Sequence, residues 1–394
     1  MARVLLIGPG PAVIGEGGEL DAAAAEAVQT LRARGHEVIL VTSNPATVAS
    51  DPTLAHRTYL EPLDLAALRA IVLAEKPTSV LSTFGGAKSL ELALALHDEG
   101  TLKSVGAQLA GLSAAALMTV RAEAALAPAK RSALAGTAGE GASTTFEVVA
   151  AFDTTGAFLP ICTIESLDRA DVHPGDAVGV TPPLHASAVD MAELHEAARV
   201  AILSAGLEAG IATCELALRR ADRALHPVAV TPGSSRSTAL AAQATGYPVT
   251  AVAVDLALGM KLGDLGITPP SARGVVVRWP RFAFETFPDA DAALGAHRKS
   301  LGESLGIGAT LADALRSAAR GVDDGLAVAR PFRRASDGAS RRPGGKRVIV
   351  LGAGPSRIGH GPELATCASE ALIAVREAGF EPVFMDSSVT GLPA

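Results

Sequence analysis

Arg3-Val4-Leu5-Leu6-Ile7-Gly8-Pro9-Gly10-Pro11 reappears 344 positions further on as Arg347-Val348-Ile349-Val350-Leu351-Gly352-Ala353-Gly354-Pro355. The correspondence continues through Ile14 and Ile358, Gly15 and Gly359, Glu19 and Glu363, Glu26 and Glu370, Gly35 and Gly379, and Glu37 and Glu381, so the chain carries an internal duplication. In each copy a short apolar run ends at a glycine-rich turn and passes into a helical pattern. This predicts a strand, a turn and a helix start whose backbone N–H groups can face an anion, with Gly8 and Gly10 as candidate anion-binding positions. The first copy runs on to a second strand (Val38 to Val41) and a Ser43-Asn44-Pro45-Ala46-Thr47 turn. The second copy stops soon after Met385-Asp386-Ser387-Ser388 and reads as a partial unit.

Outward from the first copy, strands are expected at 3–7, 38–41, 79–82 and 103–106, and helices at 20–34, 64–75 and 87–99. Such alternation predicts a doubly wound parallel sheet with ligand space at the carboxyl ends of its strands. The Ser82-Thr83-Phe84-Gly85-Gly86 turn lies at one such end, which adds Gly85 and Gly86 to the anion-binding candidates. Residues 124–145 are rich in Ala, Gly, Ser and Thr without periodicity and read as a linker. Between 146 and 329, strand-like runs (146–151, 158–164, 211–218, 228–230, 275–278) bracket helical patterns at 188–205 and 237–260, giving a second, α+β domain. Residues 330–346 carry Arg330, Arg333, Arg334, Arg341, Arg342 and Lys346 against only Asp337 and read as a basic linker to the partial repeat, 347–394.

Composition narrows the function. The 394 residues exceed what a single core serves. A net charge of −7 and 3% aromatic content argue against nucleic-acid binding. No apolar segment is long enough to span a membrane. The three cysteines are widely spaced, which fits a reducing cytoplasm rather than a disulfide framework or zinc site. The first glycine turn lacks a correctly spaced third glycine, and Thr42-Ser43-Asn44 stands where a dinucleotide site needs an acid, so NAD binding is not expected.

Several short motifs occur in one order: Gly8-Pro9-Gly10-Pro11, Ile14-Gly15, Ser43-Asn44-Pro45-Ala46-Thr47, Tyr59-Leu60-Glu61-Pro62, Thr83-Phe84-Gly85-Gly86, His173-Pro174-Gly175-Asp176, Ser235-Arg236-Ser237-Thr238-Ala239-Leu240, Ala244-Thr245-Gly246-Tyr247-Pro248 and Lys299-Ser300-Leu301-Gly302-Glu303. Together they resemble the carbamoyl phosphate synthetase large chain. The resemblance implies an α/β architecture: a parallel-sheet pre-ATP-grasp domain (1–123), a linker in place of the ATP-grasp lid (124–145), a reduced α+β ATP-grasp-like domain (146–329) and a partial second pre-ATP-grasp unit. It also implies ATP and magnesium as cofactors. Partners of the kind the resemblance implies are a glutaminase-like small subunit, a complete synthetase or a second copy.

The departures from the family pattern carry equal weight. At the metal positions the resemblance aligns Ala229 with a Glu, Thr231 with an Asn and Gly233 with an Arg, leaving Glu215 as the one candidate metal ligand, or else a hydrogen-bonded strand residue. Glu123 aligns with an arginine that faces phosphate. His173 with Asp176 resembles a segment near the nucleotide and bicarbonate site and offers acid-base chemistry, with Glu215 as a third catalytic candidate; the same turn can equally hydrogen-bond its own backbone. Ser235 and Arg236 open a helix pattern and read either as cap and structural pair or as an oxyanion site. The expectation is a pseudoenzyme that binds or regulates partners without ATP-dependent ligase activity of its own. The alternative is a repurposed enzyme for a small anionic substrate, such as a carboxylate, bicarbonate or carbamoyl group.

Overall fold

The computed structural model describes residues 2–11, 13–16, 18–134, 143–268, 270–272, 274–287, 289–322 and 346–388. The opening apolar run forms β1 (Arg3–Ile7), followed by α1 (Gly18–Ala33), β2 (Glu37–Thr42), β3 (Arg57–Leu60), α2 (Leu65–Glu75), β4 (Ser79–Leu81), α3 (Gly86–Asp98), α4 (Thr101–Val105) and β5 (Gln108–Leu109). The five strands lie parallel in the order β3-β2-β1-β4-β5. A run such as Val4 to Ile7, fully buried, is what a strand covered by helices on both faces requires. The 103–106 stretch, expected as a strand, is the short helix α4, and the strand follows at Gln108 once Gly106 turns the chain in a left-handed conformation.

The expected linker begins as helix. α5 runs from Ala114 to Leu134, carrying Pro128 inside it, and β6 (Ser143–Phe152) starts before the boundary placed at 146. Alanine-rich sequence has strong helix propensity, and Pro128 masks it to pattern reading. Then come β7 (Phe158–Ser166), β8 (Gly179–Thr181), α6 (Ala188–Ser204), β9 (Gly210–Arg219), β10 (Leu225–Pro232), α7 (Arg236–Thr245), α8 (Val249–Ala257), β11 (Val275–Arg281), β12 (Gly302–Gly308) and α9 (Leu311–Val322). The seven strands form an antiparallel sheet, β10-β9-β6-β7-β8-β11-β12. The helical pattern at 237–260 is two helices, broken where Gly246 turns left-handed before Pro248.

The parallel and antiparallel layers share their cores. One apolar cluster joins Val4, Leu6 and Val28 to Ile211, Leu240 and Val254; another joins Leu5, Ile7 and Val80 to Phe146, Ile202 and Leu216. Arg34 adds a two-pronged pair to Asp255 at 2.9 and 2.7 Å across the same seam. The second copy of the motif forms β13 (Arg347–Leu351), α10 (Pro362–Glu377) and β14 (Glu381–Met385), with β13 parallel to β14. It docks on the rest of the chain through Thr366, whose hydroxyl donates to the Ala46 carbonyl at 2.6 Å, and through the Leu305 N–H, which donates to the Ser387 carbonyl at 2.8 Å. Apart from Lys346, the basic stretch 330–346 lies outside the described residues, as do 389–394.

Candidate functional site

On the antiparallel sheet Glu147 of β6 and Glu215 of β9 stand directly opposite each other in register, so their side chains share a face. Both are buried, and two adjacent buried carboxylates need cations. The chain supplies both from its own arginines. Arg278, fully buried on β11, pairs with Glu147 and donates to the Pro174 carbonyl at 2.6 Å and to Ser237 Oγ at 3.0 Å. Ser237 Oγ in turn donates to Glu147 Oε1 at 2.5 Å.

Arg131, in the last turn of α5, grips Glu215 with both prongs: Nε donates to Oε1 at 2.9 Å and Nη2 to Oε2 at 2.6 Å. Its third nitrogen, Nη1, donates to the Ala296 carbonyl at 3.2 Å. Burial pushes the Glu215 carboxyl above its ordinary value, and the Arg131 guanidinium offsets part of that rise. The same helix end is seated by apolar contact, since Ala127 and Leu134 pack with Ala217, Val228 and Ala229. Ala229, aligned by sequence with a metal-binding carboxylate, is thus part of a small apolar cluster under α5. Sequence reasoning missed Arg131, which lay in the stretch read as linker.

His173 and Asp176 do not form a pair. Asp176 is buried and accepts from the backbone of Lys299 at 2.6 Å and of Ser300 at 3.0 Å, and from Ser300 Oγ at 2.6 Å, so it fixes the loop before β12. His173 Nδ1 accepts from the Gly175 N–H at 2.9 Å and caps a short turn, while Arg298 Nε lies 3.2 Å from its Nε2. Burial first, and then the positive charges of Arg298, Arg131, Arg278 and Arg236, drive the imidazole well below its ordinary value. A ring with so little affinity for a proton is a weak base, and the contacts of both residues are those of a turn that hydrogen-bonds its own backbone and the loop before β12.

Ser235 caps α7 in a reciprocal box with Thr238. Arg236, which is 3% exposed, donates to Ser300 Oγ at 2.6 Å and to the carbonyls of Gly175 and Ser300, and lies 3.5 Å from Glu19 and 3.8 Å from Glu303. Ser235 thus acts as a cap and most of the Arg236 guanidinium is engaged by protein groups, contacts of the kind expected from the cap-and-structural-pair alternative. Burial raises Glu303, and Arg278 and Arg236 pull part of that shift back.

The glycine turns meet one another. A Cβ on Gly85 would stand 2.4 Å from the Gly8 carbonyl oxygen and 2.5 Å from that of Ile7, and Ser89 Oγ bonds that same pair of carbonyls. Gly233 has φ +79° and a Cβ there would fall 2.1 Å from the Thr83 carbonyl oxygen, while the Ser234 N–H donates to that oxygen at 2.8 Å. Gly85 lets the turn after β4 close on the end of β1 within the parallel sheet, and Gly233 lets backbones touch across the seam between the two sheets. Gly86 faces Glu16, whereas Gly10 sits apart beside Ser43 and Leu63. A pocket does exist nearby, lined by Glu19, Arg236 and Glu303 from the body and by Gly352, Ser356 and His360 from the repeat. Among the described residues no group of three or more His, Cys, Asp or Glu side chains is placed to hold a metal, and no helix is long and apolar enough to cross a membrane.

Residues 1–119 match the carbamoyl phosphate synthase preATP-grasp domain, and residues 143–265 match the carbamoyl-phosphate synthase L chain ATP binding domain. The chain belongs to the carbamoyl phosphate synthase large-chain family. It is 31% identical to the carbamoyl phosphate synthase large chain of Gemmatimonas aurantiaca over 89% of this chain and 40% of that one. It is 32% identical to those of Myxococcus xanthus and Thermus thermophilus, in each case over 82% of this chain and over 37% and 39% of the relative. The chain therefore spans about 40% of the length of these curated relatives. Among solved structures, the biotin carboxylase subunit of pyruvate carboxylase (TM-score 0.55, 13% identity, 81% of this chain and 90% of that one) shares the fold. The biotin carboxylase domain of a thermophilic 2-oxoglutarate carboxylase does so equally (TM-score 0.55, 11% identity, 82% and 91%).

Proposed function

We propose that this member of the carbamoyl phosphate synthase large-chain family has no ATP-dependent ligase activity of its own and works by docking other proteins. One observation carries the reading: the end of α5 lies on the sheet face that bears Glu215, with Arg131 clasping both carboxylate oxygens and Ala127 and Leu134 packed onto Ala229. A magnesium–triphosphate complex needs hard oxygen ligands with free lone pairs and a cradle of cations and backbone N–H groups. Here the remaining carboxylate is already neutralised by a guanidinium, and the neighbouring position is an alanine under a helix. The residues present do not fit the metal and nucleotide that the family resemblance implies. The repurposed-enzyme reading is disfavoured because Arg236, its anion contact, is bound to Ser300 and Gly175 and flanked by Glu19 and Glu303.

Calorimetric titration of the chain with ATP and magnesium tests this. The expected result is no saturable heat and no magnesium-dependent rise in melting temperature. Low-micromolar, magnesium-dependent binding would overturn the reading, because it would require α5 to leave the sheet.

A further inference from the structure

We propose that His185 is a nucleophile that captures a phosphoryl group at Nε2, on the face of the antiparallel sheet opposite Glu147 and Glu215. Glu165 of β7 pairs in register with Phe146 of β6, the neighbour of Glu147, so its side chain points to that other face. There it is buried, with 2% of its side chain exposed, and both its oxygens serve one short segment. Oε2 accepts the backbone N–H groups of Leu184 at 2.7 Å and His185 at 2.9 Å, and Oε1 lies 2.6 Å from His185 Nδ1. A carboxylate only accepts, so in the neutral ring Nδ1 carries the proton and Nε2 keeps its lone pair. The imidazole is thereby fixed in tautomer and direction while 57% of it stays exposed. A nucleophile or base oriented by a buried carboxylate is the arrangement that group-transfer sites use.

The surroundings select the group. His185 stands two residues before Ser187, whose capping box with Asp190 starts α6, and Asp190 also holds Arg223 of the β9–β10 hairpin beside it. His185, Arg220 and Arg223 line one surface cavity of about 320 Å³, and among the described residues lining it Asp190 is the one carboxylate. Two guanidinium groups against one carboxylate favour an anionic guest, and the arginine fork matches phosphate oxygens. In the step, the Nε2 lone pair forms the N–P bond while the bond from phosphorus to the donor's nitrogen breaks, its electron pair leaving with that nitrogen as ammonia or an amine. The Glu165 carboxylate, hydrogen-bonded to Nδ1–H, balances the positive charge that the ring gains. The product is itself a P–N bond, so a donor of the phosphoramidate class transfers its phosphoryl group without a large change in bond energy.

His97 supplies the internal control. Its side chain is exposed to nearly the same degree, 52%, and its Nδ1 also lies near a carboxylate, Asp98 at 3.2 Å, but that carboxylate is itself 59% exposed. The full chain is incubated with potassium phosphoramidate, labelling of each histidine is followed by mass spectrometry, and the linkage is assigned by phosphorus NMR. His185 is expected to label at Nε2 at least about tenfold faster than His97, since a buried carboxylate fixes its tautomer and direction. In Glu165→Gln the amide oxygen still accepts the backbone N–H groups while the amide nitrogen donates to Nδ1, which moves the ring proton to Nε2 and should abolish the advantage; the melting curve reports whether that variant keeps the fold. Nitrogen chemical shifts of the unmodified ring in the original chain, at a pH where it is neutral, test the same point without any substitution and are expected to show a protonated Nδ1 and a bare Nε2. Labelling of His185 no faster than of His97, attachment at Nδ1, a ring protonated at Nε2, or a folded Glu165→Gln chain that labels as fast as the original would each overturn the proposal. The assay contains neither nucleotide nor partner protein, so its outcome is separate from that of the docking reading.

Discussion

Leu5 and Ile349 occupy the same place in two copies of one motif, yet the first is fully buried and the second is more than half exposed. Both copies form the strand, the turn and the helix, and both form the short ion pair across the first two strands, Arg3 with Glu37 and Arg347 with Glu381. What differs is everything supplied from elsewhere. The first copy is covered by α3, α5 and the antiparallel layer, while the described residues of the second meet the body along one side of α10, at Ser356 beside Gly302, and at Ser387 and Ser388. Local sequence specifies the motif, and the rest of the chain specifies its burial.

The sharpest way to break the comparison is to remove the same amount of side chain from each copy. Leu5→Ala leaves a cavity in a closed core and is expected to cost about 4 kcal/mol, within the range for buried leucines. Ile349→Ala removes a side chain that is largely in water and should cost less than about 1 kcal/mol. Denaturant unfolding of the two variants gives both values. Equal losses would mean that Ile349 is covered in solution and that the exposed face is not free.

A second difference lies at the start of the two helices. Asp21 in α1 has Ala365 as its counterpart in α10. Asp21 is buried against Asn44, and burial pushes its carboxyl up to about 6 from an ordinary value of 3.8, despite help from Thr47 and Asn44. A carboxyl raised in the folded state favours folding when protonated, so its contribution is fully present below about pH 4 and is lost as the pH rises through about 6. The protein should therefore be less stable at pH 7 than at pH 5. Asp21→Asn should remove much of that slope and gain on the order of 2 to 3 kcal/mol at pH 7. Glu16 and Glu26 are also raised by burial, so a shallower slope should remain. An unchanged profile in the variant would show that Asp21 is solvated in solution.

How much was legible in the sequence follows the same division. β1, α1 and β2 were readable because an apolar run bounded by Gly and Pro carries its own signal. β12, with the sequence Gly-Glu-Ser-Leu-Gly-Ile-Gly, carries almost none; it is a strand because β11 pairs with all seven of its residues. Glu215 was found as a chemical group, but its meaning depends on Arg131, 84 positions away, and no local pattern encodes such a pair. The two alternatives for Ser235 and Arg236 stayed open in the sequence for the same reason, because Ser300 and Glu303 arrive from the far end of the sheet.

The smallest expected effect concerns the contact that joins the two copies. Thr366 of α10 donates to the Ala46 carbonyl at 2.6 Å, and its counterpart in the first copy is Ala22, so this hydrogen bond belongs to the second copy alone. Thr366→Val keeps the shape and removes the donor, at a cost of about 1 kcal/mol. If the repeat opens independently of the body, that cost appears as faster amide exchange in α10 and β13, by about fivefold, while exchange in the first sheet and the main melting transition stay unchanged. If the main transition falls in step with the local exchange, the repeat and the body unfold as one unit. In that case the difference between the two copies is one of exposure without a difference in stability.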